Sequence, residues 1–171
     1  MQLYETFDIP DKIQDRIEDR RDANTNPDHY LIGSKGYTAP DMSIVKDAVT
    51  ALILGKNVLL KGPTGAGKTK LAELISYFFN QPMYSINCSV DLDAEALLGY
   101  KTLTYDDQNN AHITFIPGPV ENAMKNGELL YIDEINTAKA ETLPILNGVL
   151  DYRRMVLNPF TGETVRAKEN F

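Results

Sequence analysis

The sequence predicts an α/β fold of three layers, a mainly parallel sheet between helices, with hairpins inserted into it. Three observations predict it. Asn57–Lys61, Pro82–Asn87 and Leu129–Ile132 are short apolar runs with the length and content of buried strands. Amphipathic stretches of helical spacing separate them, and strands alternating with helices favour parallel pairing. Two polar turn clusters, Asp106–Asn110 and Asn158–Gly162, each lie between further β-like runs and read as hairpin tips.

Residues 1–29 read as a charged extension or linker. Alternating charges from Asp11 to Asp22 favour a solvated helix with one thin apolar stripe, Ile13 and Ile17. Asn24–Asp28 breaks that pattern as a turn. The core is expected over residues 30–171. Thr38 offers a cap and Pro40 a first turn for a helix whose inward face carries Ile44, Val45, Ala48, Val49 and Leu52, and Gly55 closes it. Lys68–Phe79 reads as a second helix, with Leu71, Leu74, Ile75 and Phe78 inward. Short helices are expected at Asp91–Leu98, ending at Gly99, and at Val120–Asn126, stopped by Gly127. A last helix falls between Ala138 and Leu150, where Pro144 imposes either a kink or a start near Leu143. Lys101–Tyr105 with His112–Ile116, and Met155–Leu157 with Thr164–Arg166, supply the strands of the two hairpins.

The length of 171 residues suits one domain. With 17 basic and 24 acidic residues the net charge is −7, which argues against a broadly basic nucleic-acid surface. Cys88 is the only cysteine, so no internal disulfide forms; a buried, inert thiol in a reducing cytoplasm is the expectation. The start of the chain has no basic segment followed by an apolar one, and no apolar run approaches the roughly 20 residues needed to cross a bilayer. A soluble, cytoplasmic protein with no membrane partner is therefore expected.

The most specific signal is Gly62-Pro63-Thr64-Gly65-Ala66-Gly67-Lys68-Thr69, which satisfies G-x-x-x-x-G-K-[ST] at every position. Its four required residues coincide by chance in a chain of this length less than about once in a hundred. The chemistry explains the pattern. Glycines let successive main-chain N–H groups turn toward phosphate oxygens, and the following helix adds its positive end. Lys68 would bridge the β- and γ-phosphates, and Thr69 would ligate Mg²⁺ through its hydroxyl. A glycine-rich turn with no ligand is the alternative.

Downstream, Glu128-Leu129-Leu130-Tyr131-Ile132-Asp133-Glu134 is an apolar strand ending in two acids. Alone this is common. Paired with a phosphate loop it gains meaning: Asp133 would hold Mg²⁺, and Glu134 would orient and deprotonate an attacking water. An ordinary solvated pair at a strand end is the other reading.

Together these residues resemble the nucleotide-binding half of an AAA+ ATPase of the P-loop NTPase fold, with Gly62–Thr69 as Walker A and Leu129–Glu134 as Walker B. The resemblance runs from about Tyr30 to Phe171. Asp93–Gly99, the hairpin after it, Pro117-Gly118-Pro119-Val120 and Asp133-Glu134-Ile135-Asn136 are most similar to the MoxR-type branch. The resemblance implies ATP and Mg²⁺ as cofactors, bound by Gly62 to Thr69 with Lys70. It places Leu31-Ile32-Gly33 beside the adenine, although Leu31 and Ile32 serve equally well as plain core. It further implies a homo-oligomeric ring, a hexamer when full length, that remodels a client protein. Tyr105–Ala111 and Asn158–Gly162 would face the ring's pore, or are surface turns of no consequence.

The family pattern continues beyond Phe171 into a γ-phosphate sensor strand, an arginine finger and a helical lid. The chain is accordingly expected to be a fragment or a shortened relative that binds nucleotide and hydrolyses it slowly, since a trans arginine contributes about 10³–10⁵ in rate where one is used. Arg153 and Arg154 lie too early in that pattern to be the finger. A non-hydrolysing, nucleotide-dependent assembly module is the main alternative. A GTP-using protein is disfavoured because Asp133-Glu134-Ile135-Asn136 is not Asp-x-x-Gly, and a DNA-acting motor by the acidic charge and the Asp106-Asp107 tip.

Overall fold

Helices dominate the first half of the chain and strand pairs the second. The computed structural model describes residues 2–24, 29–38, 41–88 and 92–171. It divides into two units, residues up to 83 with Asn170, and residues 84–169 with Phe171. The expected turn at Thr25–Asp28 and the helix starts at Pro40 and Asp91 lie outside the described residues. Among the described residues no helix is long and apolar enough to cross a membrane.

The first unit holds α1 (Gln2–Thr6), α2 (Asp11–Ala23), α3 (Ser43–Ile53) and α4 (Lys68–Phe79). Helix α2 departs from the expectation of a solvated helix. It packs on α3 and α4, and Ile17 is fully buried beside a core that includes Phe7, Ile9, Val49 and Phe78. The cause lies in its basic residues and in the aromatics before it. The Phe7 and Tyr4 rings stand 5.5 and 5.8 Å from the Phe78 ring. Arg21 Nη1 donates to the carbonyl oxygens of Tyr77 at 3.1 Å and Phe78 at 2.8 Å. A helix end leaves its last carbonyls without intrahelical donors, and a guanidinium there supplies both hydrogen bonds and a charge that complements the dipole. Arg20 lies 4.5 Å above the Phe79 ring and donates to Gln81 Oε1 at 2.7 Å. The charge pattern of α2 is thus partly a docking surface for the end of α4.

Helix α3 begins at Ser43, later than the Thr38 expectation, because the Asp41 carboxylate accepts the Ser43 N–H at 2.9 Å. Asn57–Lys61, expected as a core strand, forms none, and Leu59 is 81% exposed. A strand exists only through a backbone partner. The rest of the first unit's described residues, up to Met83, are helical or irregular, so within that unit the segment has no ladder to join.

The second unit follows the sequence reading closely. β1 (Met83–Asn87) and β4 (Leu129–Asp133) pair as a parallel ladder. Between them run α5 (Ala94–Leu98), the β2–β3 hairpin (Gly99–Tyr105 and Ala111–Pro117) and α6 (Pro119–Asn126). Parallel neighbours need such a crossover. The Asp93 side chain caps α5 by accepting the Ala96 N–H at 2.8 Å. Gly127, at φ 73°, ends α6 as expected. Pro144 starts a helix and does not kink one: α7 spans Leu143–Leu150 with the proline in its first turn. β5 (Met155–Leu157) and β6 (Thr164–Arg166) form the second antiparallel hairpin. Leu97, Leu98, Val120, Met124, Leu146 and Val149 gather in the core of this unit together with Cys88, whose thiol burial pushes upward in pKa, helped by the Asp133 charge.

In the β2–β3 hairpin seven residues of each strand are in register, from Gly99 opposite Pro117 to Tyr105 opposite Ala111. Its tip is organised by Asp106, which accepts from the N–H groups of Gln108 at 2.9 Å and Asn110 at 2.8 Å and faces His112 Nε2 at 3.1 Å. Bonds from Asn110 first, then His112, pull its carboxyl from 3.8 down to about 2.

Replacing Ile17 with Ala should lower unfolding free energy by about 3 kcal/mol, the range for a buried aliphatic side chain, as read by denaturant titration. A solvated α2 would show a change under about 0.5 kcal/mol. Asp106→Ala should speed amide exchange at Gln108 and Asn110 while leaving the β5–β6 hairpin unaffected.

Candidate functional site

The loop between Gly62 and α4 turns on glycines and closes on itself through the Ala66 N–H, which donates to Pro63 O at 3.2 Å. Gly65 and Gly67 both adopt φ 82°, a left-handed conformation that a β-carbon would strain. Residues 61–66 are exposed, as are Thr69 and Lys70. α4 then starts directly after Gly67, with Leu71 N–H donating to Gly67 O at 2.9 Å. The amides ahead of that bond point along the axis from the positive end of a helix of 12 residues. Lys68 curls back over the loop, its Nζ donating to Gly62 O at 3.1 Å and Pro63 O at 2.9 Å. A positive charge, a helix end and two left-handed glycines thus meet at one exposed turn. Lys70 engages Glu73 with its ammonium at 2.7 Å, so its side chain is drawn along the helix and away from the loop.

Two neighbours sharpen this geometry. Leu31, Ile32 and Gly33 are half-buried. Gly33 lies so close to α4 that a β-carbon there would come within 2.3 Å of the Glu73 carbonyl oxygen. Its N–H donates to Ser76 Oγ at 3.0 Å, and that buried hydroxyl donates on to Gln81 O at 2.6 Å. Ser34 Oγ adds a bond to Glu73 Oε2 at 3.2 Å. Tyr37, which the sequence reading did not single out, packs at the loop itself: a β-carbon on Gly67 would sit 3.3 Å from its ring. Nothing in the spacing of Tyr37 marks it, since the contact is made by a non-repetitive segment.

The acidic strand end belongs to the second unit. Asp133 closes β4 half-buried, and Glu134 follows it exposed. The Asp133 carbonyl accepts the Cys88 N–H at 3.0 Å, and its carboxylate accepts the Glu134 N–H at 3.0 Å. Glu134 itself is left-handed, φ 51° and ψ 39°, at the head of a 3₁₀ turn, Ile135–Thr137. Asparagine and aspartate tolerate that region; glutamate rarely occupies it. Such outliers concentrate where a side chain must be aimed.

Of the two hairpin tips, Asn158 is fully buried. It donates through Nδ2 to Glu121 Oε2 at 2.6 Å and accepts the Phe160 N–H at 2.9 Å. Glu121 is 1% exposed and also pairs with Lys125 at 2.6 Å. Asn158 therefore anchors its turn to α6, which leaves Pro159, Gly162 and Glu163 as the turn's exposed residues. Arg154, also positive in φ, turns its guanidinium to the Phe171 carbonyl.

A family model of the AAA domain, dynein-related subfamily, matches residues 57–171. The uncharacterized protein YojN of Bacillus subtilis is 59% identical over 164 residues, covering 95% of this chain and 54% of YojN. An uncharacterized protein of Staphylococcus saprophyticus is 59% identical over 140 residues, 82% of this chain and 53% of its own length. One from Staphylococcus aureus strain USA300 is 56% identical over 137 residues, 80% and 52%. The chain spans about half the length of the curated relatives it matches.

Gly33→Ala forces the new methyl into the α4 backbone and should displace residues 31–37. A loss of several degrees in Tm is expected, about 2 kcal/mol of overpacking; an unchanged Tm would show that the segment does not need its close approach.

Proposed function

The chain belongs to the AAA domain family, dynein-related subfamily, and from that premise we propose that it is the ATP- and Mg²⁺-binding core of a cytoplasmic AAA+ ATPase of the MoxR type. The observation that carries the reading is the exposed turn of Gly62–Thr69, with two left-handed glycines, the Lys68 ammonium and the start of α4 together. That combination fits a triphosphate, since main-chain donors and one cation can follow several oxygens without a side-chain cage.

Gly62, Pro63, Thr64, Gly65, Ala66 and Gly67 wrap the phosphates, with Lys70 contributing its main-chain N–H. Lys68 neutralises charge on the β- and γ-phosphates. Leu31 and Ile32 flank the adenine. Mg²⁺ would be held by Thr69 and Asp133, and when bound it neutralises phosphate charge that builds during transfer. Glu134 is the general base. As a water oxygen bonds to the γ-phosphorus, the Glu134 carboxylate takes its proton, the bond from that phosphorus to the bridging oxygen breaks, and ADP and phosphate result.

The complete protein acts as a homo-oligomeric ring, a hexamer, whose turnover remodels or activates a client protein in a chaperone-like way. The exposed β2–β3 hairpin and the turn after Asn158 are the surfaces offered to that client. ATP is favoured over GTP, and protein over nucleic acid.

Lys68→Ala should weaken Mg·ATP binding at least tenfold by fluorescent-nucleotide titration, with unchanged thermal unfolding in the absence of nucleotide. Glu134→Gln should bind ATP as the parent does and lose turnover by about a hundredfold or more, the range for a positioned base. Equal ATP affinity in the Lys68 variant and the parent would refute the assignment, and GTP competing as well as ATP would overturn the base preference.

A further inference from the structure

We propose that Thr137 is a positioning residue for Glu134, holding that residue's backbone in its left-handed conformation and tying it to the end of β1. This rests on the reading that Glu134 is the general base, and it concerns how the carboxylate is aimed.

The backbone of Glu134 is unusual. Glu134 at φ 51° keeps company, among the described residues, with Asp8, Asn80, Asn109 and Arg154 as non-glycine residues of positive φ. Asp and Asn can stabilise the conformation with their own short side chains. Glu134 cannot, so neighbours must hold it. Its N–H is taken by Asp133 Oδ1 at 3.0 Å. Its carbonyl is taken twice by one residue, from Thr137 N–H at 2.8 Å and Thr137 Oγ1 at 2.8 Å.

The same hydroxyl also reaches the Cys88 carbonyl. One proton therefore serves two carbonyls. Thr137, the last residue of the turn following β4, is thereby bonded to the residue following β1. Cys88 in turn donates its N–H to the Asp133 carbonyl at 3.0 Å. Asp133, Glu134, Thr137 and Cys88 thus form a closed set of main-chain tethers with a single side-chain hydroxyl at its junction. The Thr137 N–H bond closes the 3₁₀ turn regardless of side chain, so the turn survives loss of the hydroxyl. What goes with the hydroxyl is the tether to Cys88 and the second restraint on the Glu134 peptide plane. The direction of the Glu134 Cα–Cβ bond follows that plane, and a base off line by a fraction of an ångström loses rate before it loses binding.

The test compares Thr137→Val, which keeps shape and removes the hydroxyl, with Thr137→Ser, which keeps the hydroxyl, and Glu134→Gln as reference. Single-turnover hydrolysis, Mg·ATP affinity and amide exchange at Cys88 and Thr137 are measured for each. The valine variant should lose about fivefold in the hydrolysis rate, the scale of one net hydrogen bond. Its ATP affinity should stay within twofold, its Cys88 and Thr137 amides should exchange faster, and serine should restore rate and exchange together. Parental rate and exchange in the valine variant would overturn the proposal, as would a loss of ATP affinity equal to the loss of rate. Parental turnover in Glu134→Gln would sink the general-base reading instead; the exchange rates of the valine variant then decide the backbone tether by themselves. Unchanged exchange refutes the tether whatever the turnover.

Discussion

Helix α4 has to satisfy opposite demands at its two ends, and the first unit is arranged around that constraint. The loop before it and Thr69 and Lys70 of its first turn are open to solvent, while Leu71, Leu74, Ile75, Phe78 and Phe79 are buried. A rod anchored only by its own apolar face would be free to slide along it, because hydrophobic contact has no direction. Directional bonds supply the register. Arg21 caps the last carbonyls, Asn24 reaches the Asn80 carbonyl, and Gly33 locks against the middle of the helix through Ser76. Each of these binds main chain or a buried hydroxyl, so none competes with the open end. The exposed loop can stay solvated because the remainder of its helix is fixed.

The acidic strand end meets the same demand by other means. Glu134 is exposed and carries no packing of its own, so burial cannot hold it. Local hydrogen bonds do, with Asp133 on one side and Thr137 on the other. The buried neighbour is Cys88, whose main chain forms the fixed edge of the arrangement while its thiol remains in the core. Burial and the nearby Asp133 charge push its thiol upward in pKa, which disfavours the thiolate. The cysteine thus matters for its backbone position.

What the sequence disclosed and what it concealed follow the reach of the forces involved. Lys68–Phe79 was legible to the residue, since a glycine before it and a 3.6-residue apolar period within it are both local. So was the β5–β6 hairpin, set by a turn cluster; for Pro144 the sequence left a kink or a start near Leu143 open, and the structure takes the start. The burial of α2 was not legible. A stripe of two isoleucines among alternating charges is what a solvated helix also shows, and only the distant carbonyls of Tyr77 and Phe78 turn Arg21 into an anchor. Asn57–Lys61 misled in the other direction: its apolar content signals a strand, yet a strand also needs a ladder to join, and among the described residues the segment forms none. The motif residues could be named from spacing alone, whereas the left-handed backbone of Glu134 and the approach of Tyr37 to Gly67 depend on contacts no spacing encodes.

The β2–β3 hairpin carries the same logic to its limit. Leu103 and Ile113 are direct cross-strand partners, yet they are 54% and 75% exposed, so the pair gains little from a core. A two-stranded ribbon in water is marginal when left to itself. This one is held by its ladder, by Thr104 and Thr114 hydroxyls 2.6 Å apart, and by a tip in which Asp106 gathers the turn's amides. Loop, acidic turn and hairpin are three places where described residues face outward with a left-handed backbone or an exposed apolar face. At each, short-range polar bonds do what burial does elsewhere. A surface left open to solvent cannot be stabilised by being covered, and its order has to come from within the segment itself.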